Sequence, residues 1–204
     1  MATSYPRRDT TGGIWKVTDV AKNLLTKGTW RGSSLPGGRG IFAGGDSPGP
    51  TFRGAEYITI STTGNAVDFG DLSVDRTRQA SVSSNTRAVW AGGNEGPALS
   101  NIIDYFTIAS TGNAADFGNM TQTAQVPTGG SNSIRGLIMG GSGPGGVQSE
   151  IDYITIATIG NALDFGDLSA ARGNLGGGAS SPTRIFAAGG AHPSQTASVD
   201  MVEI

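Results

Sequence analysis

The chain has no cysteine. Disulfides, thiolate nucleophiles and Cys-ligated zinc or iron are excluded, and the redox state of the compartment is of no consequence to it. Its single histidine, His192, stands beside Pro193. A Ser/Cys-His-Asp triad built elsewhere and any histidine-rich metal site are ruled out by counting. Charged residues make up only 15% of the sequence, and no apolar run approaches the ~20 residues of a membrane-spanning helix. Arg7 and Arg8 near the start are followed by no apolar segment. That reads as a chain without a secretory signal, made soluble in the cytoplasm of its producing cell.

What is plentiful is glycine, with 34 among 204 residues. Glycine at this density is costly inside long helices, which argues against a helical bundle. It follows no every-third-residue pattern, and 36% hydrophobic residues suffice for a core, so collagen and disorder are poor readings as well. The composition points to many short strands joined by turns. Charge is uneven. Residues 1–38 hold six cations against two acids, and residues 39–204 hold eight arginines against fourteen acids. A basic arm on an acidic body fits a tail that docks on a neighbouring subunit. A solvated leader is the simpler reading.

Self-similarity decides the fold class. Tyr57-Ile58-Thr59-Ile60 returns as Tyr105-Phe106-Thr107-Ile108, Tyr153-Ile154-Thr155-Ile156 and Met201-Val202-Glu203-Ile204, each 48 residues on. Thr63-Gly64-Asn65-Ala66-Val67-Asp68-Phe69-Gly70-Asp71-Leu72 returns at Thr111–Met120 and Ile159–Leu168. A double glycine recurs at Gly44-Gly45, Gly92-Gly93, Gly140-Gly141 and Gly189-Gly190, each after a short apolar run. Each unit reads as four strands. The first is small and polar, like Gln79–Ser83, and the second is apolar and ends at the double glycine. The third alternates around its tyrosine, and the fourth follows a Gly-Asn turn and carries Phe69, Phe117 or Phe165. A four-stranded unit at this period is the pattern of a β-propeller blade.

The order of apolar strand, Gly-Gly, variable loop, tyrosine strand, turn and aromatic strand resembles the kelch repeat over residues 29–204, with phenylalanine standing where kelch blades usually carry tryptophan. Tyr-Ile-Thr-Ile together with Thr-Gly-Asn-Ala-x-Asp-Phe-Gly-Asp-Leu resembles repeats in virion structural proteins of tailed bacteriophages. Gly12–Val20 followed by Gly28-Thr29-Trp30 is similar to a lead-in segment found ahead of such repeats. The expected fold is an all-β, four-bladed kelch-like propeller. Its blades would span residues 29–72, 77–120, 125–168 and 173–204, the last completed by residues 13–17. Residues 1–28 form an arm with the closing strand and one short helix near residues 19–26. Ile14, Trp15 and Val17, with Trp15 in the aromatic place, would pair with the strand holding Val202 and Ile204. Closure of a neighbouring subunit's sheet by the same strand is the alternative.

Asp68-Phe69-Gly70 matches the magnesium triplet of kinases, but copies at the repeat step and the lack of any accompanying kinase signature leave it a turn. The same acids form no twelve-residue calcium loop, and Asn119 breaks the series. Gly140–Gly146 lacks the Lys-Ser/Thr of a phosphate loop. Arg39, Arg87, Arg135 and Arg184 recur at one place per unit. They would form either an anion-binding ring around the axis or ion pairs with acids such as Asp104 and Asp152. The loops after each double glycine, Asp46–Ala55, Asn94–Asn101, Ser142–Gln148 and Ala191–Ala197, differ most and are the expected recognition surface.

The resemblance implies a non-enzymatic structural and interaction component of a virion (tail, fibre or capsid surface), needing no cofactor and no metal. Its partners would be other virion proteins or further copies of itself, with no nucleic acid and no membrane span. A carbohydrate- or receptor-binding adhesin acting on a host surface glycan is the alternative. A copper oxidase of the galactose-oxidase type is excluded by one histidine and no cysteine.

Overall fold

The computed structural model describes residues 38–46 and 51–204. The expected closing strand (Ile14, Trp15, Val17), the short helix near residues 19–26 and the first strand of the first unit lie outside the described residues. Among the described residues the chain is all β, with four antiparallel sheets and no helix. The first sheet holds β1 (Arg39–Asp46), β2 (Thr51–Thr59) and β3 (Val67–Asp71). The second holds β4 (Ala80–Ser83), β5 (Arg87–Ala91), β6 (Ile102–Thr107) and β7 (Ala115–Asn119). The third holds β8 (Thr128–Ser131), β9 (Arg135–Gly143), β10 (Gly146–Thr155) and β11 (Leu163–Asp167). The fourth holds β12 (Gly178–Ser180), β13 (Arg184–Ala188) and β14 (Val199–Glu203). In each, the strands neighbour one another in chain order, as in a meander.

Each sheet is too thin to bury a face by itself, so the core lies between consecutive sheets. Ala55, Phe69, Leu72, Ala88, Trp90 and Phe106 join the first sheet to the second. Val82, Val89, Ile103, Phe117, Ile138 and Ile154 join the second to the third. Leu137, Met139, Ile151, Leu168, Ile185 and Ala187 join the third to the fourth. The first interface is the most aromatic. Phe69, Phe106 and Trp90 form a chain of edge-to-face rings with centroids 5.3 Å apart at each step, the arrangement that ring quadrupoles favour.

Asp-Phe-Gly is not a turn, as the sequence suggested, but a β-bulge inside the outer strand. Ala55 pairs with Gly70 and Glu56 with Asp68, which leaves Phe69 as the extra residue, and the register shifts at the matching step in the second and third sheets. Gly70, Gly118 and Gly166 take φ of +144°, +144° and +138°. The bulge turns each phenylalanine onto the inner face, and the positive φ requires the glycine that follows it.

The double glycine also differs from expectation. β5 and β13 stop before it, but β1 and β9 run through it into a longer hairpin with β2 and β10. Thr51–Ala55 and Ser142–Gln148, expected as variable loop, are therefore largely strand. In the second and fourth units, Asn94–Asn101 and Ala191–Ala197 remain loops, held by the isolated bridges Asn94 to Leu99 and Ala191 to Gln195. What the first three copies need from the first of these glycines is room. A Cβ on Gly44, Gly92 or Gly140 would press on the carbonyl oxygen of Arg76, Ala124 or Arg172, where the next repeat's entry segment crosses.

Candidate functional site

The recurring residues converge on the seams between sheets. At the first kind of seam, the Gly-Asn turn of one repeat lies on the bulged strand of the repeat before it. The Gly112 N–H donates to Phe69 O at 2.7 Å and the Ala114 N–H to Asp71 O at 2.8 Å. One repeat on, Gly160 and Ala162 donate to Phe117 O and Asn119 O, both at 2.8 Å. The asparagine adds a side-chain bond: Asn113 Oδ1 accepts from Asp71 N at 3.1 Å and Asn161 Oδ1 from Asn119 N at 3.0 Å. A Cβ on Gly70 or Gly118 would strike the carbonyl of Gly112 or Gly160, so the bulge glycine also makes space for the latch. Phe69 and Phe117 are sealed beneath it, 2% and 3% exposed.

The second kind of seam uses two of the four recurring arginines, Arg39 and Arg87, and the four do not act alike. The Arg39 guanidinium lies 4.7 Å from the centre of the Tyr57 ring and donates to Ile108 O at 2.8 Å, in the next sheet. Arg87 repeats this over Tyr105 at 4.5 Å and donates to Ile156 O at 2.9 Å. Arg135 lies over Tyr153 at 5.2 Å. Arg184 forms instead an exposed ion pair with Glu203 at 3.6 Å. Asp104 and Asp152, expected as partners of this series, are held by other groups. A guanidinium over a tyrosine keeps its charge stabilised by the ring face while its N–H groups satisfy a backbone carbonyl.

Those other groups form the third seam, which the sequence reading missed. Ser73, Thr121 and Ser169 sit one repeat step apart just after the bulged strand. Each donates its backbone N–H and its hydroxyl to an aspartate of the following sheet. Ser73 binds Asp104 at 3.2 and 2.7 Å, Thr121 binds Asp152 at 2.9 and 2.7 Å, and Ser169 binds Asp200 at 3.1 and 2.7 Å. Two of the aspartates also take a buried arginine. Arg76 Nη2 lies 2.9 Å from Asp104 Oδ2, with both side chains 0% exposed, and Arg76 Nη1 donates to Ile102 O at 2.7 Å. Arg172 Nη2 lies 2.7 Å from Asp200 Oδ2. At the same place in the middle repeat stands Ala124, 1% exposed.

The electrostatics follow the partners. Burial pushes the Asp152 carboxyl up from its ordinary value. The Thr121 hydroxyl and amide oppose the shift, and the neighbouring Asp164 and Glu150 add to it. Burial acts the same way on Asp200, but the Ser169 hydroxyl and amide and the Arg172 guanidinium outweigh it and hold that carboxyl below the usual range. Burial also draws the Arg76 guanidinium down, with Asp104 and Glu95 resisting. The signal for this seam was present in sequence as the step from Ser73 to Thr121 to Ser169, and as an arginine recurring at twice the period.

One open cleft of about 410 Å³ is formed by equivalent turns of three sheets, Ser83–Asn85, Ser131–Ser133 and Ser180–Pro182. It is neutral and built from hydroxyls and amides. Ser131 Oγ accepts from Ser83 N at 3.1 Å and donates to Ser83 O at 2.9 Å, and Asn132 Nδ2 donates to Pro182 O at 3.1 Å. Ser84, Asn132 and Ser181 cap their own turns through backbone N–H groups two and three residues on. Asn85 and Ser133 line the cleft and make no side-chain hydrogen bond among the described residues. No group of three His, Asp or Glu side chains that could hold a metal occurs among the described residues. No protein-family model matches the chain, and no curated protein is similar to it.

Proposed function

We propose that this chain is a four-bladed kelch-like β-propeller, closed by its N-terminal strand against β14, and that it serves as a non-enzymatic structural and interaction component of a bacteriophage virion. The observation that carries the architectural role is where the recurring polar residues are used. The Gly-Asn turns, Arg39 and Arg87, and the Ser/Thr-Asp straps each bind a neighbouring sheet. Residues repeated for catalysis or ligand binding would point into a common cavity instead. Four antiparallel sheets of three or four strands follow one another in chain order, and apolar clusters lie between neighbouring sheets; both features support this reading. The virion assignment rests on the likeness of Tyr-Ile-Thr-Ile and Thr-Gly-Asn-Ala-x-Asp-Phe-Gly-Asp-Leu to phage structural repeats. Other virion proteins and further copies of the chain are the partners, no cofactor takes part, and synthesis is in the host cytoplasm.

The test is fractionation. Mass spectrometry of density-banded particles is expected to find the chain at constant ratio to the other structural proteins through repeated banding. Recovery only from the soluble lysate overturns the virion role. The serine- and asparagine-lined cleft favours a second reading, a binder of a neutral polyhydroxylated ligand such as a surface glycan. A glycan array read with the parent chain and with Ser133→Leu tests it, since only cleft binding is lost in the variant.

A further inference from the structure

The cleft holds side chains that the fold does not use. We infer that it takes an uncharged sugar by its hydroxyl edge, without ring stacking, and that Asn85 is the residue that selects it; this rests on the glycan reading above.

The three equivalent turns separate the residues the fold needs from those it does not. In each, one side chain closes the turn. Ser84 Oγ accepts from the Thr86 and Arg87 N–H groups at 3.3 and 3.2 Å. Asn132 Oδ1 accepts from the Ile134 and Arg135 N–H groups at 2.8 and 2.7 Å. Ser181 Oγ accepts from the Thr183 and Arg184 N–H groups at 3.4 and 3.1 Å. Serine and asparagine exchange at this place because either supplies the capping oxygen. Asn132 also commits its amide to Pro182 O, and Ser131 commits its hydroxyl to the backbone of Ser83. The next residue of each turn is Asn85, Ser133 or Pro182. A proline there shows that the turn needs no side-chain bond from this place. Ser83, Asn85, Ser133 and Ser180 are exposed, line the cleft and make no side-chain hydrogen bond among the described residues.

These four are one amide and three hydroxyls, which both donate and accept and carry no charge. Among the described residues no charged and no aromatic side chain lines the cleft. A carboxylated, sulfated or phosphorylated ligand would lose water there and gain no counter-charge. A nucleobase or other aromatic ligand would find no ring to stack on. Sugar hydroxyls match the set, because each of them also donates and accepts. The volume of about 410 Å³ suits a short oligosaccharide, and the capped turns hold the groups in place before it arrives. Hydrogen bonds at an open site are weak singly, and four of them correspond to a dissociation constant of roughly 1 mM. Firm attachment then needs many copies side by side, as a virion component provides.

Asn85 differs from the three serines in one respect. A hydroxyl rotates to suit whatever lies opposite, whereas the amide is planar and presents a donor and an acceptor at fixed spacing. That geometry fits two adjacent sugar hydroxyls, one accepting and the other donating. Asn85 thus sets which edge of the sugar binds, and its replacement leaves the bonds of the turn intact.

A dense glycan array carrying uncharged, sialylated, uronic and sulfated glycans tests this with the full-length parent, Asn85→Ala, Asn85→Arg and Ser133→Leu, whose thermal melts are expected to coincide. The parent is expected to bind uncharged glycans alone. Asn85→Ala should weaken that binding about tenfold, the loss of one to two hydrogen bonds. Asn85→Arg should move binding to carboxylated glycans, and Ser133→Leu should abolish it. Parent binding that extends to acidic glycans and is lost in Ser133→Leu overturns the selection for uncharged sugars and leaves the glycan reading standing. Binding that keeps full strength in Asn85→Ala but is lost in Ser133→Leu overturns the role of Asn85 alone. Binding to no glycan, or equal binding by all four chains, overturns the glycan reading and this inference together.

Discussion

Asp104 and Asp152 occupy the same place in consecutive sheets, but a buried cation faces only the first. Both are buried, at 0% and 3% exposure, and both accept a backbone N–H and a hydroxyl from the preceding repeat. Asp104 also has the Arg76 guanidinium, whereas Asp152 has Ala124 in that place. The strap of hydroxyl and amide is kept in every copy and the cation is not. The hydrogen bonds alone hold the seam, then, and the arginine's task is to neutralise a carboxylate that burial would otherwise penalise.

Removing the cation from the complete seam is expected to have the largest effect. Arg76→Ala strands the Asp104 carboxylate without its buried partner and should lower unfolding free energy by about 3–5 kcal/mol in urea titration. In the double variant Arg76→Ala/Asp104→Asn much of that loss should return. A loss that stays undiminished would mean that Arg76 acts through packing, not charge.

The latch gives the next contrast. Gly118→Ala and Gly166→Ala impose similar backbone strain, since both residues have strongly positive φ. Among the described residues only the first meets a neighbouring carbonyl. The cost at Gly118 is expected to be about 2 kcal/mol, exceeding that at Gly166 in the same titration. Equal costs would show that the latch tolerates the extra carbon.

Acid separates Asp152 from Asp200 in sign. The Asp152 carboxyl is raised in the fold, so its contribution to stability is complete below the unfolded-state value and is lost as pH rises through the folded one. The Asp200 carboxyl is lowered, so its contribution is present above the unfolded-state value and is lost as pH falls through the folded one. Asp152→Asn should therefore raise stability at neutral pH and leave the acid limb of the thermal-melt profile steeper. Asp200→Asn should lower neutral stability and flatten that limb. The same direction in both variants would break the comparison.

The smallest effects belong to the recurring arginines. Arg87→Met removes a cation from a tyrosine face and a donor from Ile156 O, and about 1 kcal/mol is expected. Arg184→Ala breaks only an exposed pair and should fall within about 0.5 kcal/mol of the parent.

Much of the fold was legible in the sequence. The step from one tyrosine strand to the next located β2, β6, β10 and β14, and the double glycines marked where the second strand of each unit meets the entry of the next. Local chemistry misled at Asp-Phe-Gly. Asp and Gly are turn formers, and a bulge uses the same residues while the strand continues on both sides. It misled again over the arginines. Asp104 and Asp152 are acids of the right spacing for Arg87 and Arg135, yet in the fold they face Ser73, Arg76 and Thr121.

The amino-acid sequence by itself determined the period, the tyrosine strand and the aromatic strand of the repeated unit, and the exclusion of thiol and histidine chemistry. These are properties of one copy, and local periodicity with glycine content is enough to specify them. Only the tertiary structure decided which recurring groups bind the copy beside them: Gly112 on Phe69, Arg39 on Ile108, Thr121 on Asp152. The physical reason is the periodicity itself. Shifting a partner by one whole repeat leaves the residue pattern unchanged, so a bond within a copy and a bond to its neighbour look the same in sequence. Thin sheets make the choice, because the apolar face of each can be buried only against the next.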